Sequence, residues 1–143
     1  MSDRILVPLD DSEPARVALI EALERFAADD LVALHVLDTN ESSHGIEGGA
    51  AGGWYEAKEA QAAELFEDAQ RIADEYGVTL TTVVETGPPA RTIVEYVTEH
   101  EIDHVVMGSH GRSGVSRILV GSVAESVIRN APVSVTIARG KAD

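Results

Sequence analysis

At 143 residues the chain suits one domain, because a chain of that size buries roughly 68–70% of its unfolded surface in a single core, and its 44% apolar and 25% charged content is that of a globular rather than a disordered protein. The 25 Asp and Glu against 11 Lys and Arg leave a net charge of −14, which sets most of the surface against nucleic acid and anionic lipid. Cysteine is absent, so disulfides, thiolate metal sites and cysteine nucleophiles are excluded too.

The first element is the apolar run RILVPL, residues 4–9, which stops at Asp10, Asp11 and Ser12. Those three residues can cap a helix, and Pro14 fits its first turn. Ala15, Leu19, Ala22, Leu23 and Phe26 then recur at helical spacing between Glu21, Glu24 and Arg25, which predicts an amphipathic helix. LVALHVL, residues 31–37, is apolar at nearly every position, as a strand covered on both faces is. Residues 38–53 are polar and then glycine-rich, too loose to pack, and they are expected to form either a mobile loop or a functional one.

Ala62, Leu65, Ala69, Ile72, Ala73 and Tyr76 define a second long helix ending at Gly77. Trp54 and Tyr55 at its start are expected to pack against the edge of the core. VTLTTVVET, residues 78–86, is β-branched and reads as the third strand. Gly87, Pro88 and Pro89 turn the chain into a helix with Ala90, Ile93, Val94 and Val97 as its apolar stripe. DHVVMG, residues 103–108, is the fourth strand; a last helix places Val123, Ala124, Val127 and Ile128 on one side, and VSVTI, residues 133–137, is the fifth strand. The alternation of five strands and four helices predicts an α/β domain over residues 1–143, with a parallel sheet covered by helices on both faces.

The stretch GSHGRSGVSRILVGS, residues 108–122, lies between the fourth strand and the last helix. In an open parallel sheet, ligands bind beyond the carboxyl ends of the strands where the strand order reverses. In the order 3-2-1-4-5, Asp10 and Gly108 would flank that crevice. Glycines let backbone amides approach an anion closely, and Gly121 and Ser122 open a helix whose amides and dipole favour phosphate. Arg112, Arg117 and His110 bring positive charge to an otherwise acidic chain. The segment therefore suits a di- or triphosphate, with plain turn and surface-charge roles as the alternatives. Neither a GxGxxG after the first strand nor a GxxxxGKS is present, which disfavours a dinucleotide site and a P-loop.

His35 and His104 sit inside apolar strands and are read as packed or hydrogen-bonded. His44, His100 and His110 show no ligand spacing with a carboxylate pair, and no His–Asp pair identifies Ser109, Ser113 or Ser116 as a triad serine. Asp10 is either a ligand contact or a helix cap, a job that Asp11 or Ser12 can also do. The acidic excess, with Lys58 and Lys141 the only lysines, leads us to expect adaptation to high salt. No run approaches the ~18 apolar residues that span a bilayer, and the expectation is a cytoplasmic protein with no membrane or nucleic-acid partner.

With Pro8, Asp10 and Ser12 after an apolar strand, His35 and Val36 ending the second, and MGSHG followed by GS, the sequence resembles the universal stress protein family along its whole length. The resemblance implies a Rossmann-like five-stranded sheet in the order 3-2-1-4-5, a homodimer joined through residues 133–137, and bound ATP with Mg²⁺ bridging its phosphates. It implies that Asp10 takes the ribose hydroxyls while Pro8, Leu9 and Val36 line the adenine slot. Met107 and Gly108 would follow the sugar, and Gly111, Arg112, Gly121, Ser122 and Val123 would surround the phosphates. Ala124 stands where some relatives carry a hydroxyl. With no Walker-type Lys and no acidic Mg²⁺ pair, efficient phosphoryl transfer is not expected, and slow ATP hydrolysis or autophosphorylation enters only through the resemblance. A regulatory stress-response role is the leading expectation. The alternatives are an AMP- or ADP-responsive, or nucleotide-free, module for a protein partner, and a slow nucleotide hydrolase.

Overall fold

In the computed structural model, which describes residues 2–38, 51–109 and 120–139, five strands alternate with four helices. The elements are β1 (Arg4–Pro8), α1 (Glu13–Phe26), β2 (Asp30–Leu37), α2 (Ala51–Asp74), β3 (Thr81–Thr86), α3 (Pro89–Glu99), β4 (His104–Gly108), α4 (Ser122–Asn130) and β5 (Ser134–Ala138). The strands form one parallel sheet in the order β3-β2-β1-β4-β5. The order reverses at β1, whose two neighbours are β2 and β4.

The alternation of side chains along each strand divides the core into two layers. On one face Ile5, Val7 and Leu9 pack with Ala18, Leu19 and Ala22 of α1 and Ala69 and Ala73 of α2. On the other, Leu6, Val32, Leu34, Val105 and Met107 pack with Ile93, Tyr96 and Val97 of α3 and Ala124 and Val127 of α4. Burial on both faces is the reason β1 and β2 read as continuous apolar runs. The right-handed crossovers that parallel strands require place α1 and α2 on one side and α3 and α4 on the other.

Several boundaries differ from the sequence reading, each for a local reason. The third strand begins at Thr81 rather than residue 78 because Gln70 of α2 supplies the missing ladder. Its amide oxygen accepts from the Leu80 N–H at 2.9 Å and its amide nitrogen donates to the Val78 carbonyl at 2.9 Å. The second helix ends at Asp74, so Tyr76 lies in the closing turn and is exposed. Gly77 adopts φ +71°, the left-handed cap conformation that favours glycine, and its N–H donates to Asp74 O at 3.1 Å.

Helix α2 also begins at Ala51, inside the stretch expected to be loop; the rest of that stretch, residues 39–50, lies outside the described residues. Trp54 is half-buried and Tyr55 exposed, and among the described residues neither joins the two core layers. Their rings meet each other edge to face at 4.8 Å, and Tyr55 is 41% exposed. Ile128 leaves the apolar stripe of α4 and is 46% exposed. The two embedded histidines are hydrogen-bonded, as expected: His104 Nε2 lies 2.7 Å from Thr136 Oγ1, and His35 Nδ1 lies 2.8 Å from Leu9 O.

Candidate functional site

The sheet opens where β1 and β4 separate. Their paired register covers Ile5↔His104 and Leu6↔Val105, although the strands run on to Pro8 and Gly108. On the other side β1 stays paired with β2 as far as Pro8↔Leu34. The two carboxyl ends thus diverge at the point where the order reverses, which creates the crevice of an open α/β sheet.

Asp10 stands at the mouth of this crevice, one residue beyond Leu9. The helix cap is Ser12, not Asp10: Ser12 has extended backbone angles, and its Oγ accepts from the Ala15 N–H at 3.2 Å. Ser12 in turn gives two donors to Asp10, its N–H at 2.9 Å and its hydroxyl in a short hydrogen bond, both to Oδ1. One carboxylate oxygen is therefore committed to orienting the side chain. The other, Oδ2, makes no hydrogen bond or ion pair among the described residues and is available to accept from a ligand.

Pro8, Val36 and Met107 fall on the same face of the sheet. Met107 and Val36 belong to the layer under α3 and α4, and alternation from Leu6 places Pro8 there as well. Met107 is only 6% exposed, so its side chain is part of the floor. Leu9 points the other way, with its side chain buried against α1.

Gly108 has a packing role that the sequence did not reveal. A Cβ at this position would lie 2.6 Å from both C and O of Pro14 and 2.8 Å from its Cβ. The end of β4 thus approaches the first turn of α1 more closely than any side chain allows.

At the far end of the glycine segment, the Gly121 N–H donates to Ser109 O at 2.5 Å. This bond ties the start of α4 to the end of β4. Gly121 is the N-cap of α4 in an extended conformation, φ −74° and ψ 171°, and no side chain caps the helix. The first-turn amides of an α-helix have no partner within the helix. Here Ser122 and Val123 present theirs beside the crevice, with Ser122 exposed and Val123 half-buried. Gly111 and Arg112, together with His110, Ser113, Ser116 and Arg117, lie outside the described residues. The structure therefore brings Pro8, Asp10, Val36, Met107, Gly108, Gly121, Ser122 and Val123 to one end of the sheet around the β1–β4 opening, while Leu9 supports it from the opposite layer.

The sequence reading recognised His35 as hydrogen-bonded but missed its partner, Leu9 O, which adjoins Asp10. A backbone carbonyl on another strand leaves no residue-specific signal in a sequence. The Ser12-to-Asp10 contact was better signalled, since an Asp two residues before a capping Ser can accept from that residue's N–H.

The same fold is found in known proteins. The model of the universal stress protein family matches residues 1–139. The universal stress protein MJ0531 of Methanocaldococcus jannaschii is 33% identical over 142 residues, covering 95% of this chain and 81% of that protein. The solved structure of MJ0577 from the same organism superposes with a TM-score of 0.87 at 28% identity, covering 100% of this chain and 99% of that one. UspA from Lactobacillus plantarum gives a TM-score of 0.83 at 30% identity, covering 96% and 97%. With the sheet order, the opening at β1 and β4 and a family match over nearly the entire length, this chain belongs to the universal stress protein family.

Proposed function

We propose that the protein binds ATP in the crevice between β1 and β4 and serves as a regulatory stress-response protein whose output is nucleotide occupancy. The observation that carries this reading is the start of α4. Its first-turn amides, which have no partner within the helix, are held at the reversal point by the Gly121–Ser109 hydrogen bond, and such amides suit phosphate oxygens. Asp10 supports it from the other side, because an oriented carboxylate with a free oxygen accepts from ribose hydroxyls. Pro8 and Val36 offer an apolar slot for a base. Universal stress proteins of the same fold have been solved with dAMP, from Archaeoglobus fulgidus, and with AMP, from Arabidopsis thaliana; at their lower identity they are like this chain in fold.

Among the described residues, no group of three or more His, Asp and Glu could hold a metal by itself. In this reading Mg²⁺ arrives on the phosphates, with Gly111 and Arg112 completing their surroundings. The work of the chain's own residues is to bind and orient the nucleotide; slow hydrolysis is the alternative that a turnover assay separates. A homodimer through β5 belongs to the same proposal. That strand is an edge of the sheet, Val135 and Ile137 are only half-buried, and an open edge invites pairing with a second copy.

The test is the nucleotide content of protein purified at high salt, released by heat and separated by chromatography, with Gly121→Val alongside. The extended conformation of Gly121 accepts Val without backbone strain, the variant is designed to crowd the phosphates, and urea unfolding of both proteins shows that the fold is kept. Stoichiometric ATP in the parent and its loss in the variant are expected. No nucleotide, and no uptake from millimolar MgATP, would refute the reading. Small-angle scattering at high salt tests the dimer, and a monomer there refutes it.

A further inference from the structure

His35 lies on β2 beside the crevice, and its bond is unusual in what it replaces. In a parallel ladder, the N–H and C=O of one residue bond to two residues, two positions apart, on the neighbouring strand. Leu9 begins that pattern: its N–H donates to Leu34 O at 2.8 Å. Its carbonyl would next accept from the Val36 N–H. Instead, the imidazole of His35 occupies it, with Nδ1 2.8 Å from Leu9 O; among the described residues, no backbone bond joins Val36 N–H to Leu9 O. A carbonyl can only accept, so the ring donates, and Nδ1 carries the proton.

Two consequences follow from this substitution. Peptide groups two residues apart along a strand point the same way, so the Val36 N–H and C=O point, like those of Leu34, toward the side where β1 has ended. Among the described residues they take no partner on β1, which leaves them facing the crevice. Leu9 is also held at both its N–H and its C=O by consecutive residues of β2, and this fixes the departure of the chain into Asp10. The imidazole thereby acts on the Val36 end and on the Asp10 end of the opening at once.

We infer that His35 is the positioning residue of the nucleotide site: by donating Nδ1–H to Leu9 O, it keeps the Val36 peptide open for the base and sets Asp10 for the ribose. The inference rests on the nucleotide reading above. It requires a donor at the Nδ1 position rather than a ring of a given size, and that requirement separates it from a packing role.

The experiment is calorimetric titration of MgATP and of its 2′,3′-dideoxy analogue into the parent protein and into His35→Asn, His35→Gln and His35→Leu, with urea unfolding of each ligand-free protein. The Asn side-chain amide nitrogen can take the place of Nδ1, whereas that of Gln reaches the Nε2 position. Asn should bind MgATP within about threefold of the parent, while Gln and Leu should lose about tenfold, in keeping with one net hydrogen bond. The advantage of ATP over the dideoxy analogue should shrink in Leu, because Asp10 is no longer set. A long-range ¹H–¹⁵N spectrum of the ligand-free parent should show His35 protonated at Nδ1. A packing role would lower stability and affinity in step, without distinguishing Asn from Gln. Parent binding with unchanged variants, equal losses in Asn and Gln, or a proton at Nε2 alone would each overturn the role of His35. A parent that takes up no adenine nucleotide would overturn the nucleotide reading and, with it, this inference.

Discussion

Replacing Gly108 by Ala should destabilise the protein in the absence of any ligand. The new methyl group would lie 2.6 Å from the carbonyl carbon and oxygen of Pro14 and 2.8 Å from its Cβ. These are backbone and ring atoms in the first turn of α1, with no rotamer by which to withdraw, and ordinary contact needs almost 1 Å more. Either the end of β4 or the start of α1 must shift. Such overpacking costs about 1–3 kcal/mol. At about 2–4 °C per kcal/mol for a chain near this size, 2 kcal/mol lowers the melting temperature by about 4–8 °C. Gly53→Ala is the internal control, because nothing lies within 4 Å of its Cβ and it sits in α2; there Ala should be neutral or stabilising by up to about 1 kcal/mol. The assay is urea unfolding and calorimetry on nucleotide-stripped protein, since a bound ligand would mask the loss by mass action. If Gly108→Ala melts within 1 °C of the parent, the close approach to Pro14 is not what demands glycine, and a ligand-only role for Gly108 returns.

Ser12→Ala should cost about 1 kcal/mol in urea unfolding as the α1 cap is lost, and it should also weaken MgATP binding because the Ser12 hydroxyl no longer helps the backbone N–H to orient Asp10; Ser12→Thr should preserve both, and equal behaviour of the two variants would refute the assignment. Burial, and after it the Glu85 carboxylate, raise the Tyr96 phenol above its usual value, against a lowering effect of Arg4. The folded protein therefore keeps this proton after the unfolded chain has released it, so stability falls as pH rises above about 10. Tyr96→Phe should flatten that decline in urea midpoints between pH 8 and 11; an unchanged slope refutes the assignment. With a net charge of −14, the urea midpoint should rise from 0.1 M to 1 M KCl as the screening length shortens from about 10 Å to about 3 Å. A flat or falling midpoint would count against salt adaptation.

The fold was legible wherever the local chemistry and the pattern agreed. Apolar runs too continuous for a one-sided strand pointed to a parallel sheet, and Ser12 followed by Pro14 marked the start of α1. The departures have a common origin in contacts between distant parts of the chain. Gln70 looks like one more polar residue on a helix, yet it holds Val78 and Leu80 outside the sheet. Tyr76 and Ile128 fit helical spacing, but the turn at Gly77 and the position of α4 leave them exposed. In the candidate site, the predicted strand order placed the crevice at the β1–β4 opening, where Gly108 and Gly121 lie. The glycine pattern could not separate Gly108, required by Pro14, from Gly121, whose extended backbone needs no glycine. That distinction depends on what lies across the gap, and periodicity carries no such information.

The bond from Gly121 to Ser109 also registers the start of α4 against the end of β4. Because the contact is made between main-chain atoms, it does not depend on which side chains stand at positions 109 and 121, and the end of the sheet and the start of α4 share a docking point set by the backbone. Doubling the length of a flexible insert adds only about 0.6 kcal/mol of closure cost. A change in the length of the connection between β4 and Val120 is thus expected to leave the sheet order and the start of α4 in place.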